Sequence, residues 1–205
     1  MFTGIVQTKA PIVWISHSPT LTRYGVDLTG PMLEGLVRGA SVSIQGICQT
    51  VVSIENTHVI FEAIEETLAC TTVPLWKEGD YLNIERSLRM GDEIGGHLLS
   101  GHIMGTGCIQ NIEHPSKEQA IITVKCDPKW MKYLLPKGYI ALNGVSLTLG
   151  KMDPSGWFTV NLIPETRYIT TFGECQLGDK VNIEIDSQTQ AIVDTIERVL
   201  EERKL

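Results

Sequence analysis

Basic charge is what this chain is short of. Lys and Arg number 17 against 24 Asp and Glu, for a formal net charge of −7 and a pI near 5.2. That balance argues against nucleic acid as a partner, which calls for a basic face. No apolar run approaches the roughly 20 residues of a membrane-spanning helix. The opening Met1-Phe2-Thr3-Gly4 has no basic stretch leading into an apolar core, so no secretory signal is expected. The five cysteines (Cys48, Cys70, Cys108, Cys126, Cys175) are odd in number and form no C-x-x-C pair. A zinc site is therefore not expected, and a reduced, cytoplasmic protein is. Phosphate-binding signatures are missing too: there is no G-x-x-x-x-G-K-[ST], and Gly105-Thr106-Gly107 is too short to stand for one. No metal and no cofactor are expected.

What the chain does have is itself, twice. Thr3-Gly4-Ile5-Val6 falls on Ser100-Gly101-His102-Ile103, and Gly46-Ile47-Cys48-Gln49-Thr50 on Gly144-Val145-Ser146-Leu147-Thr148. Glu66-Thr67 then meets Glu165-Thr166, Gly79-Asp80 meets Gly178-Asp179, and Asn83-Ile84-Glu85 meets Asn182-Ile183-Glu184. Order and register are kept throughout. Two copies of one module imply two copies of one pocket, and 205 residues divide into two domains of about a hundred each.

Each half reads as short strands separated by turn residues. In the first, Gly4–Ile15, Val42–Gln45, Cys48–Ile54 and Val59–Ala63 are rich in β-branched residues. Gly30-Pro31, Gly39, Gly46, Glu55-Asn56 and Gly79-Asp80 break them. A short helix is expected over 31–37 and its counterpart over 127–134. Many short strands with one short helix indicate a small closed barrel. The boundary is placed near Met90-Gly91-Asp92-Glu93, giving units 1–90 and 91–186. A tail at 187–205 has no counterpart in the first half. Ser187 is its expected N-cap, with Gln190 three residues on. Ile192, Ile196, Val199 and Leu200 follow at helical spacing, a stripe suited to association with neighbours.

Residues two and four after the turn glycines point to one side of a strand. Cys48 and Thr50 therefore share a face in one copy, and Ser146 and Thr148 in the other. If that face lines a pocket, each copy offers two small polar groups; the alternative is that they are satisfied inside a barrel. The copies also differ: Ile5 becomes His102, and Cys48 becomes Ser146. Catalysis needs such asymmetry, and histidine titrates in the range that suits proton transfer. His97 lies five residues before His102, but no third metal ligand of obvious spacing accompanies the two.

At these motifs the chain resembles the riboflavin synthase family. The resemblance rests on the opening Met-Phe-Thr-Gly-Ile-Val, Gly95-Gly96-His97-Leu98 with Ser100-Gly101-His102, Asn143-Gly144-Val145-Ser146-Leu147-Thr148 and Leu162-Ile163-Pro164-Glu165-Thr166. It implies an all-β fold of two tandem six-stranded antiparallel Greek-key β-barrels followed by a C-terminal helix that holds a homotrimer. It also implies active sites between subunits, and lumazine synthase as a further partner. Each barrel would bind one 6,7-dimethyl-8-ribityllumazine. Four-carbon transfer between the two molecules would give riboflavin and 5-amino-6-(ribitylamino)uracil.

Carried across, the resemblance assigns the first barrel Gly4, Ile5, Val6, Ser41, Cys48, Gln49, Thr50, Glu62, Ala63, Ile64, Glu65, Glu66 and Thr67. The second receives Gly101, His102, Ile103, Ser146, Leu147, Thr148, Asn161, Leu162, Ile163, Pro164, Glu165 and Thr166, with Lys137 near the shared site. The expected catalytic set is Cys48, His102, Ser146, Thr148 and Asp186. His102 and Ser146 would handle protons, and Cys48 and Asp186 would polarise or position the neighbouring substrate. Three positions depart from the family pattern: Gln45 and Asn143 stand where Asn and Asp are common, and Gln49 where a leucine is. Asn143 cannot act as a carboxylate base, and Gln49 should face away from Cys48. The competing reading is a non-catalytic lumazine- or flavin-binding antenna protein, which would erode the second-half motif; His102, Ser146 and Thr148 are all present.

Overall fold

In the computed structural model, which describes residues 1–203, the two halves are two closed antiparallel barrels. The first is built from β1 (Thr8–His17), β2 (Leu21–Asp27), β3 (Ser41–Ile44), β4 (Ile47–Glu55), β5 (His58–Ile64) and β6 (Tyr81–Arg86). The second uses β7 (Gly105–Ser116), β8 (Gln119–Lys125), β9 (Tyr139–Leu142), β10 (Val145–Asp153), β11 (Trp157–Leu162) and β12 (Lys180–Ile185). The ring order β1-β2-β5-β4-β3-β6 recurs as β7-β8-β11-β10-β9-β12, and β6 and β12 close the rings on β1 and β7. Strands β3, β4 and β5 run consecutively while β6 returns beside β3, the Greek-key order. Closure leaves no unpaired sheet edge.

Alternation fills the interiors. On β4, Ile47, Gln49 and Val51 point into the first barrel, and Val145, Leu147 and Leu149 do the same on β10. Tyr24 is fully buried between Phe61 and Trp76, and its hydroxyl donates to Gln49 Oε1 at 3.2 Å. Gln49 thus faces away from Cys48, as its place on the strand requires.

The expected helices at 31–37 and 127–134 are shorter 3₁₀ turns, Gly30–Met32 and Pro128–Tyr133. Each has proline in its first turn and keeps the tighter i→i+3 bonding, Leu33 N to Gly30 O in one and Leu134 N to Met131 O in the other. The true short helices follow β5 and β11: α1 (Glu65–Cys70) and α2 (Pro164–Ile169). The tail helix α3 spans Ser187–Glu202 and is capped by Asp186 rather than Ser187. The Asp186 carboxylate accepts from Thr189 N at 2.9 Å, which places the cap one residue earlier. The expected tail ran to 205; its last two residues lie outside the described ones.

The barrels meet at their β-hairpin tips. Gln45-Gly46 and Asn143-Gly144 all have positive φ, the signature of a tight two-residue turn, and the two glycines touch backbone to backbone. Asn83 Nδ2 donates to Asn143 O at 3.0 Å and Asn182 Nδ2 to Gln45 O at 2.9 Å, each reaching across to the other barrel. The Asn143 side chain accepts from Asn182 N at 2.8 Å. Position 143 is therefore occupied by a structural amide at the seam.

Candidate active site

The seam is not the only crossing. The segment before β1 leaves its own barrel and lies on the other one. Gly4 O accepts from Ser146 N at 2.8 Å, and Val6 joins the core of the second barrel. The mirror segment does the converse: Gly101 O accepts from Cys48 N at 2.9 Å, and Ile103 packs on the core of the first barrel. Both glycines have positive φ, +75° and +79°, and a Cβ on either would sit about 2.5–2.6 Å from the Cβ of Ser146 or Cys48. The sequence-based division of these residues is therefore exchanged. Gly4 and Val6 lie on the second barrel, and Gly101 and Ile103 on the first. The reason is that these residues precede the strands whose barrel they were assigned to and cross before the strand begins.

The candidate first half-site would draw on Cys48 and Thr50 on β4, Ser41 opposite Thr50 on β3, the crossing segment with exposed His102, and Glu62 to Thr67 at the β5–α1 junction. Cys48 and Thr50 point outward, so this face is the barrel's outer wall and not its interior. Glu62 pairs with Arg23 at 3.3 Å. The second half-site has Ser146 and Thr148 on β10, Asn161 on β11 and Ile163 to Thr166 at the β11–α2 junction. No side chain caps α1 or α2, and the first residue of α2, Pro164, has no N–H that needs a partner. Gln49, Ala63, Leu147 and Leu162 are buried in the barrel interiors and support the site from beneath.

The half-sites are unequal, and the largest inequality was not legible as chemistry in the sequence. His97, on the connector between the barrels, places Nδ1 2.7 Å from Ser146 Oγ. With Nδ1 unprotonated, the serine hydroxyl donates to it. The ring is buried, stacks on Tyr139 at 5.0 Å and 17°, and leaves a buried Nε2 without a partner among the described residues. Burial holds its pKa below the ordinary histidine value, with Asp186 pulling weakly the other way. Tyr139 stands opposite Thr148 where the first barrel has Ser41 opposite Thr50. Lys137 takes the place of Gly39: both precede a strand and donate their N–H to the one after it, to Leu149 O on β10 and Val51 O on β4, and both have positive φ. A lysine held there at φ +64° bears a backbone cost that glycine escapes, which is reason to ask what its side chain does.

His102 and Ser146 stand on different half-sites of this chain, so the structure does not bring the expected proton-handling pair together within one subunit. Asp186 spends its Oδ2 capping α3, on Thr189 N and on Thr189 Oγ1 at 2.6 Å. Among the described residues no group of three or more His, Cys, Asp or Glu converges. No helix among them is long and apolar enough to cross a membrane.

The lumazine binding domain family matches the chain twice, over residues 3–87 and 100–186. Riboflavin synthase from Escherichia coli strain K12 is 48% identical over 204 residues, covering 100% of this chain and 95% of that protein. Riboflavin synthase from Chlamydia pneumoniae is 42% identical, covering 98% and 97%. The chain belongs to the riboflavin synthase family. Two solved structures of LumP share the fold at greater distance. The complex with riboflavin has a TM-score of 0.84 at 26% identity, covering 91% of this chain and 100% of that one. The complex with 6,7-dimethyl-8-(1'-D-ribityl) lumazine has a TM-score of 0.80 at 28% identity, covering 90% and 98%.

For a riboflavin synthase family member, the open form of both half-sites is informative. A cleft of about 770 Å³ is bordered by Thr3, Ile5, Glu85, Arg86, Arg89 and Gly95. Neither it nor the smaller clefts at the seam reaches Cys48 or Ser146. Cys48 and Thr50, and Ser146 and Thr148, lie on the outer walls of the two barrels, half-buried or exposed. The motif Gly95-Gly96-His97-Leu98 marks His97 in the sequence, but its approach to Ser146 is set by the fold. There is no room for a side chain at Gly96, whose Cβ would sit 2.3 Å from Thr3 O and 2.9 Å from Ser146 Oγ.

Proposed function

We infer that this protein catalyses the riboflavin synthase reaction, the dismutation of two 6,7-dimethyl-8-ribityllumazine molecules to riboflavin and 5-amino-6-(ribitylamino)uracil. The observation that carries the reading is two half-sites of one build with unequal chemistry: a pocket for each identical substrate, and a His97–Ser146 pair on one side only. The C7 methyl of the lumazine is acidic because its carbanion delocalises into the heterocycle, so a modest base suffices. Neutral His97, acting through Ser146, takes that proton in the second half-site. Donor and acceptor are the same compound, so the four-carbon transfer balances without an external oxidant or reductant. Holding the two ring systems face to face contributes most, since such pre-orientation reaches roughly 7–11 kcal/mol.

The same reading includes a homotrimer in which the first half-site of one subunit covers the second of the next. It is supported by the open outer walls and by α3, whose Ile192, Ile196, Val199 and Leu200 are exposed. The polar edge of α3 is held to its own chain through Tyr133 Oη donating to Asp194 at 2.6 Å and ion pairs from Lys132 to Asp194 and Glu197. Assembly would bring His102 of one subunit to Ser146 of another. Ile196→Glu is expected to convert trimer to monomer in light scattering and to remove turnover while sparing lumazine binding. A variant that stays trimeric would sink this role for α3. Cytoplasmic residence fits five free thiols; association with lumazine synthase is carried by the family resemblance alone.

Incubating the purified protein with 6,7-dimethyl-8-ribityllumazine alone tests the activity. One riboflavin and one pyrimidine for every two lumazines consumed, without added cofactor, is the expected result. Bound but unchanged lumazine would instead identify a non-catalytic binder.

A further inference from the structure

Each crossing segment is held by a buried carboxylate from the barrel it leaves. Glu85, on β6 of the first barrel, accepts from Thr3 N at 2.6 Å, Thr3 Oγ1 at 2.8 Å and Gly4 N at 3.1 Å. Glu184, on β12 of the second, accepts from Ser100 N at 2.7 Å, Ser100 Oγ at 2.8 Å and Gly101 N at 3.1 Å. Both are almost fully buried, at 4% and 3% exposure. Burial pushes both carboxyls upward, but every partner is a donor. A shell of donors alone suits the ionised form.

The held segments then hold the reacting groups of the opposite barrel. Thr3 O accepts from His97 N at 3.1 Å and Gly4 O from Ser146 N at 2.8 Å, so one short stretch fixes both members of the pair. On the other side Gly101 O accepts from Cys48 N, while Ser100 Oγ accepts from His102 N at 3.1 Å. We propose that Glu85 and Glu184 are crossed positioning residues: each sets the reacting groups of the half-site on the other barrel, Glu85 those at His97 and Ser146, and Glu184 those at Cys48 and His102. The two half-sites of one chain are thereby wired to each other's scaffold, and neither barrel builds a complete half-site alone. The functional side of this proposal rests on the activity inferred above; the wiring itself does not.

Glu85→Gln puts an amide N–H₂ against a backbone N–H whichever way it flips, so one end of the tether is lost with little change in shape. Hydrogen exchange in the unliganded full chain, read by mass spectrometry, is the test. Glu85→Gln is expected to speed exchange over residues 145–148 by roughly 10- to 100-fold, the size of a lost charge-assisted bond, with 47–50 unchanged. Glu184→Gln should do the reverse. Acceleration in the variant's own barrel, in both stretches or in neither would overturn the proposal. Should either glutamine variant fail to fold, Thr3→Val and Ser100→Ala remove one donor each and must give the same crossed pattern on a smaller scale. In turnover, Glu85→Gln is expected to flatten the acid limb contributed by His97; a limb left unchanged while 145–148 loosens would reduce Glu85 to a structural role and refute its positioning of the pair. Because exchange is read without substrate, its result stands apart from success or failure of the lumazine assay.

Discussion

Gly144→Ala is expected to be among the most damaging single-methyl changes this fold can receive. A Cβ there would lie 2.8 Å from Gly46 N and 2.9 Å from Gly46 Cα, both backbone atoms. Its φ of +78° adds a conformational penalty. Left-handed backbone costs about 1–2 kcal/mol for an L side chain, and forced overpacking about 1–3 kcal/mol more. The total, about 2–5 kcal/mol, corresponds to a fall in Tm of roughly 5–20 °C for a chain of this size. Gly46→Ala should match it, because its Cβ would meet Gly144 N at 2.6 Å. Gly178→Ala supplies the control: its φ is +91°, but nothing lies within 4 Å of the added carbon. It should cost only the backbone part, about 1–2 kcal/mol. Thermal melts of the three variants separate the strain of the turn from the contact between barrels. Equal losses in all three would mean that the seam is not where the halves are joined.

What could be read in the sequence divides by the range of the interaction. The repeat, the β-rich character and the outward pairing of Cys48 with Thr50 and Ser146 with Thr148 follow from local pattern, because a strand's period of two settles which side chains share a face. The core follows for the same reason, since Ile47 and Val51 must point inward once Cys48 points out. The crossing of Thr3–Val6 and Ser100–Ile103 could not be read. Their direction is set by Glu85 and Glu184, some eighty residues away, and by the close fit of Gly4 on Ser146 and Gly101 on Cys48. Position alone assigns such a segment to the strand it precedes. The tail helix was visible from its apolar stripe, but Asp186 was read for chemistry and Ser187 for the cap, whereas the carboxylate is the cap.

The same limit explains the histidines. His102 stood out because its repeat partner is the apolar Ile5, and that contrast is a sequence property. His97 carries the closer geometry because the connector between the barrels folds back onto Ser146, which is a tertiary fact. His97→Asn and Ser146→Ala are each expected to lower kcat by about 10²- to 10⁴-fold, the usual worth of a general base. The double variant should be little worse than either, because residues acting as one unit lose their function together. The sign of the pH effect follows from the lowered histidine pKa. Burial among Tyr139 and the connector disfavours the imidazolium, so His97 remains an acceptor at pH values where a free histidine is already half charged. Activity should fall on the acid side with a midpoint below the ordinary histidine value. His97 also contributes stability at pH above its unfolded pKa, and that contribution is lost as the pH drops through the folded one. In His97→Asn the acid limb should vanish along with most of the rate. A residual limb of unchanged midpoint in that variant would move the base to His102, reached from a neighbouring subunit, and His102→Gln would then carry the larger loss.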